Sequence, residues 1–284
     1  MLDLFRGKVA VLATMHKKEQ VISPIVEREL GLKVVVPSDL DTDLFGTFTR
    51  EIKRLGTQLD AAKFKAQKAL EISSANIAIA SEGSFTAHPY VPFLPCNREL
   101  IILIDKEQQL EVVGEELSTQ TNYSHQIISS CSEAFAFAEK VGFPEHGLIV
   151  MPAASFSKQP IFKGITEKDK LIEAVSLIIN SATDGKAHIE TDMRAMYNPT
   201  RMKNIEKATL DLIQKINQLC PQCSTPGFNL VGTRKGLPCA YCQLPTQLSL
   251  SVFYQCQKCN YQQEKFFPDG IEYADPSQCL YCNP

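Results

Sequence analysis

The stretch CPQCSTPGFNLVGTRKGLPCAYC, residues 220–242, carries two Cys-x-x-Cys pairs, Cys220/Cys223 and Cys239/Cys242. Two more follow at Cys256/Cys259 and Cys279/Cys282, so eight of the ten cysteines in this 284-residue chain lie after residue 219. Read sequentially, the pairs give Cys-x2-Cys-x15-Cys-x2-Cys and Cys-x2-Cys-x19-Cys-x2-Cys, spacings that suit tetrahedral four-cysteine zinc sites. One Cys-x-x-Cys turn aims two thiolates at an ion and a second turn closes the tetrahedron. An interleaved cross-brace uses the same eight ligands, so the pairing of the turns stays open at this level. Turn-forming neighbours (Pro221, Pro226-Gly227, Gly236, Pro238, Asp269-Gly270) support the reading. Disulfides need an oxidising compartment, and a redox dithiol normally occurs singly. Two structural zinc ions are therefore expected. A tail of few aliphatics draws its folding energy from them.

This composition step near residue 219 divides the chain into an α/β domain over 1–219 and a double zinc ribbon over 220–284. In the tail, Arg234, Lys235, Lys258 and Lys265 are balanced by Glu264, Asp269, Glu272 and Asp275. Two Zn²⁺ with eight thiolates make the balance negative, which disfavours a phosphate backbone as partner. Protein contact, through a homodimer or another chain, or pure stabilisation is the better expectation for the tail. The whole chain carries 29 Lys+Arg against 32 Asp+Glu, which excludes a globally basic nucleic-acid binder. An apolar fraction of 44% excludes a largely disordered chain. No apolar run approaches a membrane span. The opening MLDLFRGKVAVLATMHKK reads as a buried strand, and a cytoplasmic location is expected.

Ahead of the tail, strands and helices alternate. Strands are expected at 9–14 and 33–36, with a helix near 18–30 between them. A helix over 59–72 sets Ala62, Ala66, Ala69 and Leu70 on one face. IAIA (77–80) reads as a buried strand, and 99–105 with 110–117 as an antiparallel hairpin. Helices follow at about 130–141 and 167–180, with a strand at 147–151 between them. The last helix, about 200–219, opens after Asn198-Pro199, a cap followed by a proline in the first turn. Such alternation implies an α/β body with a mixed sheet.

Four polar clusters in the body are candidates for chemistry. ATMHKKE (13–19) sits at a strand-to-helix junction, where phosphate gathers at a helix N-terminus beside Lys17 and Lys18. SEGSFTAHP (81–89) places Glu82 beside Gly83 and Ser84 at a strand's end, suited to Mg²⁺ or water activation. TFTREIKR (47–54) and the helix after it are dense in charge and read mostly as a solvated face. HIETDMRAMYNPTR (188–201) concentrates His188, Glu190, Asp192, Arg194 and Arg201. It is either an ion-pair network or a site, and the site is the preferred reading. Cys96 and Cys131 have no histidine–acid setting and read as small packed residues.

In this order the body resembles the inosine/xanthosine triphosphate pyrophosphatase superfamily, and in particular its purine-NTP phosphatase branch. Such proteins begin with a strand ending in a Thr-Gly-Asn type motif and a nearby Lys, where this chain has Thr14-Met15-His16 and Lys17-Lys18. AAKFKAQKAL (61–70), Ser81-Glu82-Gly83, the hairpin 99–117 and Asn198-Pro199-Thr200-Arg201 stand where the family has its basic helix, acidic motif, long hairpin and closing basic motif. Met15, His16 and Phe64 depart from the pattern, and the cysteine tail is no part of it. Body and tail together also look similar to an uncharacterised bacterial family defined only by its unknown function.

The resemblance implies Mg²⁺-assisted hydrolysis of a nucleoside triphosphate, a non-standard purine nucleotide in its sharpest form. Glu82 would hold Mg²⁺ or activate water, with Asp60 or Glu51. Thr14, His16, Lys17, Lys18 and Ser84 would bind the phosphates, and His188, Arg194 and Arg201 the base or a remaining phosphate. The competing expectation is a non-catalytic nucleotide or small-ligand sensor whose zinc tail contacts a protein.

Overall fold

The computed structural model describes residues 4–37, 56–153 and 160–283. Glu51 and the TFTREIKR segment fall outside that range. The body begins with a five-stranded mixed sheet of order β2-β1-β3-β4-β5, formed by β1 (Val9–Ala13), β2 (Lys33–Val35), β3 (Ile77–Ala87), β4 (Pro95–Asp105) and β5 (Leu110–Ser118). β1 runs parallel to both β2 and β3, and the β3-β4-β5 meander is antiparallel. Helix α1 (Glu19–Leu30) joins β1 to β2, and α2 (Gln58–Ile72) precedes β3.

The two faces of this sheet follow from strand alternation. Ala10, Leu12, Ile77, Ile79, Ile101 and Leu103 point to one side. There they pack with Ile22, Ile25 and Val26 of α1 and with Ile205, Ala208 and Leu212 of the last body helix, α5 (Pro199–Asn217). Val11, Ala13, Ala78, Ala80 and Ile102 point to the other side, against the alanine face of α2. At Gly114 a Cβ would lie closer to the α5 backbone at Ala208 and Leu212 than atoms can approach, so the glycine sets how near α5 lies to β5.

A second, four-stranded antiparallel sheet of order β6-β9-β7-β8 completes the body. Its strands are β6 (His125–Ile128), β7 (Leu148–Pro152), β8 (Phe162–Ile165) and β9 (Ala187–Thr191). α3 (Cys131–Val141) and α4 (Lys168–Ser181) share its core, which includes Ile128, Phe137, Leu148, Val150, Leu171, Ile178 and Ile189. The sequence reading placed β7 and both helices, and missed β6, β8 and β9. Those strands are four or five residues long, and β9 carries His188 and Glu190 on alternate positions, so their apolar signal is short.

The remaining expectations on element type are met, with one correction. The IAIA strand does not end at Glu82 but continues as β3 to Ala87, so Glu82 lies within a strand rather than at its C-terminal end. Full pairing with β4, including Glu82↔Leu100 and Gly83↔Glu99, keeps the polar half of the segment extended. The tail forms a three-stranded antiparallel sheet of β10 (Asn229–Lys235), β11 (Ser249–Gln255) and β12 (Gln262–Phe266). Among the described residues no helix is long and apolar enough to cross a membrane.

Candidate functional site

The tail cysteines converge in two groups, Cys220/Cys223/Cys256/Cys259 and Cys239/Cys242/Cys279/Cys282, each with its sulfurs within 4.8 Å of one another. The first turn thus pairs with the third and the second with the fourth, the interleaved arrangement rather than the sequential one. Opposed sulfurs stand 3.7 and 3.6 Å apart in the first group and 3.8 and 3.6 Å apart in the second. Four thiolates at about 2.3 Å from a tetrahedral zinc ion lie ~3.8 Å from one another, so the cysteines fit zinc in both groups.

Each Cys-x-x-Cys segment is built the same way. The residue after the second cysteine returns its N–H to the carbonyl of the first: Ser224 to Cys220, Gln243 to Cys239, Asn260 to Cys256 and Asn283 to Cys279, at 2.8–3.1 Å. Ser224, Gln243 and Asn260 take left-handed backbone to do so. Four thiolates close each site, so zinc here would hold the tail's fold and leave no open position for a substrate. The first centre sits against the body, where Gln257 donates to the Glu111 carbonyl of β5 at 2.7 Å. The second projects Tyr241, Leu280 and Tyr281 from its turns, 82%, 64% and 66% exposed.

The second candidate site is a polar cluster where β1 and β3 leave their apolar halves. Lys18, directly before α1, is 6% exposed, and its ammonium donates to Ser81 Oγ at 3.0 Å. Among the described residues it has no carboxylate partner. Two residues along the same face of β3, Gly83 opposes Glu99, whose carboxylate receives Arg201 Nε at 2.8 Å and Nη2 at 3.3 Å. Both side chains of that ion pair are fully buried. Arg201 also donates to the Met193 carbonyl, Asn97 donates to Glu99 at 2.8 Å, and Asn204 donates to Asn97 at 2.9 Å. A Cβ at Gly83 would fall on this pair, 2.5 and 2.6 Å from the Glu99 oxygens, so only glycine admits it. Asn198 fixes Arg201 locally by capping α5, accepting from the Arg201 N–H at 2.9 Å.

On the opposite face, Glu82 takes Lys65 Nζ of α2 at 2.5 Å, with both side chains buried. Gln58, in the first turn of α2, donates to the carbonyls of Glu82 and Arg98 at 2.8 Å and accepts from Ser84. The sequence-predicted Lys18, Glu82, Ser84 and Arg201 are therefore brought to one end of the sheet, but β3 separates Glu82 and Ser84 from Lys18 and Arg201. They still act on one another through the buried medium. Burial first, then Arg201, pushes the Lys18 ammonium from its ordinary value down to about 7. Glu99 opposes this, Lys65 adds to it and Glu82 opposes it.

The other predicted residues lie elsewhere. Thr14 is buried at the end of β1, and His16 and Lys17 form the left-handed turn before Lys18, with Lys17 exposed. Asp60 closes a capping box with Thr57 at the start of α2; the Thr57 hydrogen bonds hold its carboxyl below the usual carboxylate value. The 188–201 cluster resolves into separate ion pairs. His188 meets Glu190 at 3.1 Å and stacks on His125, Arg194 grips Asp192, and only Arg201 reaches the strand-end cluster. The sequence names Ser81 only as the start of the Ser81-Glu82-Gly83 motif and Lys65 only within a charged helix, and it singles out none of Glu99, Gln58, Asn97 and Asn204. Lys65, Glu99 and Asn204 meet their partners across 17, 102 and 107 residues, and no local pattern reports such pairing.

A family profile described as Domain of unknown function (DUF6671) matches residues 65–284. The chain belongs to this family. The DUF6671 match runs without interruption from Lys65 through Glu82, Glu99 and Arg201 into all eight tail cysteines. Body and tail are thus parts of one family unit, and β1, α1 and Lys18 precede the matched segment. No curated protein matches the chain.

Magnesium does not fit the carboxylates as they stand. Glu82 and Glu99 are each engaged by a buried cation. Among the described residues, the groups of three or more His, Cys, Asp or Glu that converge are the two cysteine tetrads.

Proposed function

We propose that the body binds the phosphate end of a small molecule, a nucleoside triphosphate in the sharpest form, at the Lys18 side of the strand-end cluster. One observation carries the reading: the two carboxylates nearby are matched by Lys65 and Arg201, while Lys18 is a buried cation without a carboxylate of its own. An anion beside it would offset the surplus positive charge of the buried cluster. The first turn of α1 adds the positive end of a helix. Hydrolysis of the bound triphosphate is the finer proposal, motivated by the order of segments shared with the purine-NTP phosphatases.

Calorimetric titration of the zinc-loaded protein with ATP, ITP and pyrophosphate, with and without Mg²⁺, tests this. The expected result is saturable binding by wild type that Lys18→Met abolishes. Equal binding by both proteins, or binding by neither, overturns the reading. A second reading, a non-catalytic sensor whose tail contacts a protein, is favoured by one observation. The second zinc centre carries its large apolar residues outward at Tyr241, Leu280 and Tyr281.

A further inference from the structure

Among the buried ionisable groups of the cluster, the carboxylates are committed. Glu82 is tied to Lys65, and Glu99 receives both Arg201 and Asn97. Neither is poised to activate a nucleophile. Among the described residues, Lys18 has no carboxylate partner, and its Nζ lies 3.0 Å from the hydroxyl Oγ of Ser81. Ser81 is 2% exposed and Lys18 6%, so the contact lies in a largely desolvated setting. Its geometry is that of a nucleophile within hydrogen-bond reach of its base. Both partners are held by regular elements, Ser81 by β3, where it pairs with Ile101 of β4, and Lys18 by the start of α1.

We propose that Ser81 and Lys18 form a serine–lysine dyad that transfers a phosphoryl group from a phosphate anhydride through a covalent phosphoserine. This rests on the reading of the cluster as a phosphate site and adds the step performed there. In the first half, Ser81 Oγ forms a bond to the terminal phosphorus, and the bridging P–O bond breaks with its electron pair leaving on the departing phosphate. The Ser81 proton passes to neutral Lys18. In the second half, water's oxygen bonds to phosphorus and the Oγ–phosphorus bond breaks. One water proton passes to Lys18 as the ammonium proton returns to Oγ. Lys18 then releases a proton to solvent, leaving the dyad as it began, with one anhydride and one water converted to two phosphates and a proton. Lys18 is available in its neutral form to receive the Ser81 proton because burial first, then Arg201 and Lys65, disfavour its ammonium, against the opposing pull of Glu99 and Glu82. Once protonated, it faces the phosphoryl dianion on Ser81 and neutralises it.

The test is acid quenching of the full-length, zinc-loaded protein during incubation with γ-labelled ATP or ITP, followed by peptide mass spectrometry. The expected result is a phosphoryl adduct on Ser81. Ser81→Ala should lose labelling and turnover by at least ~100-fold while still binding pyrophosphate, since general-base and nucleophile contributions are of that order or larger. Lys18→Arg keeps a cation for binding but has no accessible neutral form, and should bind yet fail to label. Zinc content and circular dichroism of both variants confirm that they fold. Binding by wild type with no adduct, or turnover that survives in Ser81→Ala, overturns the dyad and leaves phosphate binding standing. Absence of binding by wild type overturns both proposals together.

Discussion

The two candidate sites of this chain are built in opposite ways. Each zinc centre is made of two short turns whose geometry is local: two cysteines three residues apart and one N–H returning to a carbonyl. The strand-end cluster has no local unit. Glu99 meets Arg201 across 102 residues and Lys18 meets Ser81 across 63. The tail is thus a pair of four-cysteine clasps that could each hold a metal ion. The cluster is a set of charges made tolerable only by a packed sheet and three helices. Removal of a site of the first kind is expected to spare the body's core. A site of the second kind cannot lose one partner without leaving another buried and uncompensated.

The largest effect should come from the clasps. Cys220→Ser or Cys256→Ser should leave the protein with one zinc ion instead of two by elemental analysis, and chelation of both should unfold the tail, because binding and folding are the same event in such modules. The body's far-ultraviolet circular dichroism melt should persist after chelation; a body that melts with the tail breaks the distinction between the two kinds of site.

Next comes the buried ion pair. Arg201→Met or Glu99→Gln should cost about 3 to 5 kcal/mol in chemical denaturation, since one charge is left without its partner. The double variant should recover part of that loss. A cost near zero for the single variants would show that water reaches the pair.

Asn198→Ala, which removes the cap of α5 and the local anchor of Arg201, should cost about 1 to 2 kcal/mol. Zinc content should not change, because the cap lies on the body side of α5.

The subtlest effect is on pH dependence. Folding lowers the Lys18 value from 10.5 to about 7, so between those limits the unfolded chain binds a proton that the folded one does not. The destabilising cost of burying this ammonium is therefore full below pH 7 and fades as pH rises toward 10.5. Lys18→Met should be more thermostable than wild type at pH 6, with the gap closing steadily to pH 10. A gap that is constant with pH would mean Lys18 stays charged in the fold. The zinc centres contribute nothing to this difference between the two proteins, which isolates the cluster.

Much of the architecture is legible along the chain because its signals are local. The alanine face of α2, the IAIA half of β3, the hairpin of β4 and β5 and the Asn198-Pro199 start of α5 all report a period or a cap. The second sheet is not legible. β6, β8 and β9 are short, and in β9 the alternation of Ala187, Ile189 and Thr191 with His188 and Glu190 reads as a polar cluster until its neighbours are known. Glu82 and Arg201 stand out as charges in motif-like settings, but their neutralisation by Lys65 and Glu99 depends on which strand and helix faces meet.

The order of residues alone specifies four Cys-x-x-Cys turns suited to a metal and an α/β body with a basic strand-to-helix junction. Both follow from interactions within a few residues, which the order of side chains specifies directly. Only the tertiary structure decided that the turns interleave, that β3 splits the predicted site into two faces, and that Lys18 ends beside Ser81 without a carboxylate. Those outcomes are set by the register of paired strands and the burial of charge, energies that exist only once distant segments share a core.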